Sequence, residues 1–140
     1  HDRTQQQPGE WIPPDELAPP VELLVPANLS WGGGRRGARI PPHSKYAARV
    51  VPGLEAAAVS HRAMVVASLE PDVDSRRVTL NVATPAALLV AKSYKLGERA
   101  ADDPGRLLNK DAHDIYRLLR AVSADEVADD LRWLLENDVA

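Results

Sequence analysis

Nine of the chain's 12 prolines lie at or before Pro52, and five of its eight glycines fall between Gly9 and Gly37. Proline fixes φ and removes a ladder donor, so this front half is confined to short strands and loops. Val21-Glu22-Leu23-Leu24-Val25, bounded by Pro19-Pro20 and Pro26, reads as a single buried strand. Residues 26 to 46 read as a loop centred on Gly32-Gly33-Gly34. From Leu54 to Leu69 the apolar pattern suits either period, with Met64 to Leu69 closer to a strand. Pro71-Asp72-Val73-Asp74-Ser75 is rich in residues that bond their own backbone and predicts a turn. Arg77 to Val82 alternates and predicts a half-buried strand.

The back half reads as helix. Thr84-Pro85 supplies an N-cap followed by proline at the first helical position, and the helix is expected to run to about Arg99. A polar loop spans residues 100 to 108. A second helix is expected from Asp111 to Val122, with Ile115, Leu118, Leu119 and Val122 on one face. Ser123-Ala124-Asp125-Glu126 spells a capping box for a third helix, whose apolar stripe is Val127, Leu131, Leu134 and Leu135. Its acids Asp125, Glu126, Asp129 and Asp130 read as a solvated face. The fold class is therefore α+β, or α/β with half of its sheet lost. Residues 1–83 form the strand-and-loop part and 84–140 a three-helix unit, together one compact domain. With no Phe and few aromatics, the core must be built from Leu, Val and Ala.

Composition excludes several classes. The chain has no cysteine, so disulfide scaffolds, thiol nucleophiles and thiolate metal sites are ruled out. Its four histidines, at 1, 43, 61 and 113, lack the spacing of a zinc motif. A net charge of −3 argues against a protein that coats nucleic acid. No apolar run reaches the roughly 18 residues of a membrane span, and the first twenty residues do not resemble a signal peptide. A cytoplasmic domain with no membrane partner is expected. The chain begins with His1, and Met64 is its only methionine; a segment upstream of His1 is expected.

Three constellations carry chemistry. Glu22 is a carboxylate among apolar neighbours, so it either faces solvent or is compensated by a metal or a cation. Between Glu22 and Glu55 there is no acid, but there are Arg35, Arg36, Arg39, Lys45 and Arg49. With the surrounding glycines this loop is either a phosphate or RNA contact or a solvated segment, and it lacks the Gly-Lys-Ser/Thr ending of a Walker loop. Lys92, Lys95 and Arg99 share one helix face. Lys110-Asp111 opens the next helix, with Asp114 one turn on. A short connection makes the two helices antiparallel neighbours, so Lys92 and Arg99 are placed to pair with Asp111 or Asp114, either structurally or as the lining of a site. Helix-dipole stabilisation alone also accounts for acids at that position.

The stretch Asn81 to Leu119, with Lys92, Arg99, Lys110-Asp111 and Asp114, resembles the C-terminal part of bacterial AbiEii-type nucleotidyltransferases, toxins of toxin–antitoxin systems. Pro20 to Pro26 is similar to the strand that carries the third active-site acid of that superfamily, here Glu22. The family's Gly-Ser turn and Asp-x-Asp strand are missing, since Asp72-Val73-Asp74 lies in a polar turn with no Gly-Ser before it. The resemblance implies transfer of a nucleotide from an NTP onto an acceptor such as tRNA or another RNA, with Mg²⁺ as cofactor and an antitoxin as partner. It implies catalytic roles for Glu22, Lys92, Asp111 and Asp114, with Glu22 on the metal. Nucleotide contacts fall to Lys92, Lys95, Arg99, Lys110, Arg35 and Arg36. Without the Asp pair the chain is expected to be an incomplete or inactive transferase. The alternative is a non-catalytic interaction protein derived from the same fold. A lost half-sheet would leave the strand at Val21 to Val25 with an open edge, so a homodimer is also expected.

Overall fold

The computed structural model describes residues 8–14, 18–30, 36–44, 46–102 and 109–137. The fold is α+β, and it divides into two units, His1–Leu54 and Glu55–Ala140. The residues from Glu55 to Ala83 fall in the same unit as the helices.

In the first unit, β1 (Glu10–Trp11) pairs antiparallel with β2 (Val21–Glu22), placing Glu10 opposite Glu22. Next, β3 (Leu24–Pro26) runs parallel to β5 (Ala48–Val51), and β4 (Gly37–Ala38) lies antiparallel on the other side of β5. A single 3-10 turn, Ala27–Leu29, follows β3. The expected single buried strand from Val21 to Val25 is therefore two short strands in two sheets. They part at Leu23, whose amide donates to the Gly9 carbonyl at 2.7 Å while its own carbonyl accepts from Arg49 at 2.9 Å. Nor are they buried: Val21 is 56% and Leu24 40% exposed. The expected loop of residues 26 to 46 contains β4, and its Gly32-Gly33-Gly34 centre lies outside the described residues. Trp11 closes this unit by donating its indole N–H to the Ala47 carbonyl at 2.8 Å.

The second unit begins with α1 (Glu55–Val59), then β6 (His61–Ala67) and β7 (Arg77–Ala83), which form an antiparallel hairpin from His61↔Ala83 to Ala67↔Arg77. The ambiguous segment from Leu54 to Leu69 thus holds one short helix and one strand. In the predicted turn, the amides of Val73 and Asp74 both donate to the Glu70 carbonyl at 3.0 Å. Arg76 also clamps Asp74 there, and its donors hold that carboxyl down at about 2. Three helices follow: α2 (Pro85–Asp102), α3 (Asn109–Ala121) and α4 (Ala124–Glu136). Ser123 caps α4 by accepting from the Glu126 amide at 3.1 Å, while the Glu126 carboxylate turns away to Arg62. That is half of the expected box.

The core of this unit is Ala56, Ala86, Ala87, Val127 and Leu134, with Ala83, Leu89, Val90, Val122 and Leu131 packed against it. Alanine dominates where α1 meets α2, because small side chains let two helix surfaces approach closely. Leu135, expected on the buried stripe, is 83% exposed, and Leu119 of α3 is 50% exposed. The buried faces of these helices are narrower than their apolar patterns.

Thr84 joins β7 to α2. It is 5% exposed, its Oγ1 lies 2.7 Å from the Ser60 hydroxyl and it accepts from the Ala87 amide at 3.3 Å. Replacing it by valine removes the cap and strands a buried hydroxyl. Thr84→Val is expected to destabilise this unit by about 2 kcal/mol in urea unfolding, with the m-value unchanged.

Candidate functional site

The α2–α3 seam gathers most of the charged residues singled out above. On α2, Lys92, Lys95 and Arg99 recur at helical spacing along one stripe. Asp111 sits in the first turn of α3, where the helix dipole favours an acid, yet it is only 4% exposed. Arg99 donates from Nη1 to Asp111 Oδ2, and Lys95 Nζ stands 3.8 Å from Asp111 Oδ1. One turn on, Lys92 Nζ donates to Asp114 Oδ2 at 2.6 Å. Contacts descend α2 as they ascend α3, which is the antiparallel order expected from the short connection.

The electrostatics limit what these groups can do. The Lys92 hydrogen bond lowers the Asp114 carboxyl below its usual range, opposed by partial burial and aided by the charges of Lys92, Lys110 and Arg117. A carboxylate held down in this way is a weak proton acceptor at neutral pH. Asp111 is taken up by one guanidinium and one ammonium group. Lys110 is exposed at the start of α3. The arrangement ties two helices together by charge; Lys92, with about a third of its side chain exposed, keeps access to solvent.

Glu22 belongs to the first unit. Its side chain is 51% exposed and accepts from Arg49 Nη2 at 2.9 Å. The side chain combines the two sequence readings, since it faces solvent and a cation, Arg49, compensates it. Glu10, directly across the ladder, is a second acid that sequence order did not reveal. Arg36 is exposed and its carbonyl accepts from the Val50 amide at 3.0 Å. Arg35 lies outside the described residues. Among the described residues no group of three or more His, Asp or Glu side chains is placed to hold a metal ion. Two Mg²⁺ ions need several carboxylates, and Glu22 is already paired with Arg49. The described donor set does not fit such a pair of ions.

Sequence reasoning missed how the hairpin is fastened and how much of it is open. Arg62 on β6 donates to Glu126 at 2.7 Å and Asp130 at 3.4 Å, tying the strand to α4. Those two acids were expected in a purely solvated face; their fellow Asp129 keeps to its own helix, paired with Arg132 at 2.7 Å. Beyond Arg62 the hairpin is open. All seven residues of β6 are exposed, and Met64, Val66, Val78 and Leu80 stand on one face at 48 to 54% exposure. No helix among the described residues is long and apolar enough to cross a membrane. Set against known proteins, the chain matches no family model, no curated protein and no solved structure.

Proposed function

We propose that this chain is a non-catalytic interaction module that works through the β6–β7 hairpin. The carrying observation is the open apolar face of Met64, Val66, Val78 and Leu80 on a strand pair whose every β6 residue is exposed. Completing the burial of four such half-exposed side chains contributes about 1 kcal/mol apiece. That is enough to hold a partner once a backbone ladder adds to it. The committed cations support the same reading: Arg99 and Lys95 serve Asp111, and Lys92 serves Asp114, so a triphosphate would have to displace carboxylates to reach them. Isothermal titration with magnesium-loaded ATP, CTP, GTP and UTP tests it. No saturable heat is expected up to about 1 mM, the affinity of a contact with only about 4 kcal/mol behind it. Saturable binding that Lys92→Ala abolishes removes the proposal.

One observation favours the transferase reading. Lys92 is steadied by Asp114 in the order the AbiEii resemblance implies, with Arg99 and Asp111 one step along. In that reading Lys92 neutralises the nucleotide's phosphates together with the other nucleotide contacts, Arg35 and Arg36 among them, an RNA such as tRNA accepts the nucleotide, and an antitoxin restrains the protein. Incubating the chain with radiolabelled NTPs and bulk tRNA separates the two. Lys92-dependent label on the RNA favours transfer, and unlabelled RNA favours the interaction module.

A further inference from the structure

The first unit holds a cavity of about 570 Å³. Small-molecule sites usually fall between about 300 and 1,000 Å³. The base of this one is set by the sheet. Val25 of β3 pairs with Val50 of β5, and Ala38 of β4 pairs with Ala48. Val50 and Ala48 are two apart on β5, so all four side chains share one sheet face. Ala38 is 2% exposed and Ala48 is fully buried, and such small side chains leave depth above the sheet that a leucine would fill. Val25, Leu29, Ile40 and Pro41 supply the apolar lining. Leu29, at 55% exposure, and Ile40, at 36%, stand at the open side.

Ser30 and Arg39 add polar groups to the lining, and they differ in kind. The Ser30 hydroxyl donates to the Ala27 carbonyl at 2.8 Å. With its proton committed it offers only lone pairs, which disfavour an anion. Arg39 has no carboxylate partner among the described residues, unlike Arg49, which Glu22 occupies. The surrounding segment supplies none, since no acid lies between Glu22 and Glu55. Aliphatic walls with an unmatched guanidinium on their border suit a ligand with an apolar body and one anionic end. A single guanidinium forks onto one carboxylate, whereas a phosphate dianion would keep uncompensated charge against aliphatic side chains. Among the described lining residues no aromatic ring is offered for stacking, which favours an aliphatic chain over a flat base.

We propose that this cavity binds a medium-chain aliphatic monocarboxylate. Its carboxylate pairs with Arg39, and its chain lies over Ala38 between Val25, Leu29, Ile40 and Pro41. Apolar burial supplies the affinity and the guanidinium fixes which end of the chain lies where. The end near Ser30 meets only lone pairs, so the reversed orientation sets anion against acceptor. Every residue of the site belongs to the first unit, and none comes from the hairpin, so the proposal goes beyond the interaction reading and is tested independently of it.

Isothermal titration of the full chain with octanoate is the test, run beside hexanoate, decanoate, neutral 1-octanol and inorganic phosphate. Octanoate is expected to saturate with a Kd on the order of 100 μM. Affinity is expected to rise about threefold for each methylene added from hexanoate, until the chain leaves the cavity. Arg39 is exposed, and Arg39→Gln is expected to weaken octanoate about tenfold or more while changing 1-octanol by less than about twofold. That split separates loss of the anion contact from loss of the fold, which would weaken both ligands alike. Ala38→Leu fills the base and is expected to abolish both; Leu29→Ser, at the open side, is expected to weaken both with the far-ultraviolet spectrum unchanged. Octanoate that fails to saturate below about 5 mM overturns the proposal. So does octanoate binding that Arg39→Gln leaves unchanged, and so does inorganic phosphate that displaces octanoate and is itself lost in Arg39→Gln.

Discussion

Asp111→Ala is expected to destabilise the helical unit by about 3 kcal/mol. The carboxylate is 4% exposed and receives Arg99, whose own side chain is only 18% exposed, with Lys95 at 3.8 Å. Deleting one partner of a buried pair leaves the other charge in a poorly solvated place, and that loss is worth about 3–5 kcal/mol. Because Arg99 keeps some contact with water, the lower end applies. The dipole of α3 adds a smaller increment in the same direction. Urea unfolding reads the change, with the m-value held. A second variant identifies the cause: Arg99→Met combined with Asp111→Leu should recover most of the stability, since replacing both partners by apolar groups is often neutral or stabilising. A single variant within about 1 kcal/mol of the parent, which is the worth of a surface pair, would show that the seam is solvated rather than buried. Lys92→Ala, at the wetter end of the seam, should cost clearly less than Asp111→Ala.

Gly9→Ala is expected to unfold much of the first unit. Gly9 sits at φ +90°, where an L side chain is strained, and a β-carbon there would collide with the Leu23 carbonyl oxygen and lie 2.7 Å from the Arg49 amide nitrogen. Both are backbone atoms and neither can turn aside. They are also the atoms that hold the unit together, since Leu23 bonds to Gly9 and Arg49 bonds to Leu23. Left-handed strain and overpacking together come to about 3 kcal/mol or more, a large fraction of what a unit with so few buried side chains can hold. Loss of near-ultraviolet signal from Trp11 checks it. Retention of that signal with a native melting temperature would show that the β1–β2 end can shift as a whole.

Local chemistry was readable in the residues themselves. Thr84-Pro85 marked the start of α2, Ser123 the cap of α4, and Pro71 to Ser75 the turn between β6 and β7, because each works through bonds within a few residues of itself. That Lys92 and Arg99 are placed to meet Asp111 and Asp114 was readable too, from side chains at helical spacing, a short connection and opposite signs, but which acid each cation takes was not. The burial of Asp111 was not. Nor was the split of Val21 to Val25, since it is decided by Gly9 and Arg49, which are distant in the chain.

Composition and local pattern by themselves determined an α+β chain with no cysteine, a proline-broken front and a helical back. Which apolar residues are covered was decided only by tertiary structure. Leu135 and the Met64–Leu80 face are as apolar as the core, and periodicity cannot distinguish them from it. Burial depends on what lies opposite, and here the alanine-lined meeting of α1 and α2 closes the core without the outer part of the hairpin. Alanine at that contact draws the helices close, and the area beyond Arg62 stays open for a partner.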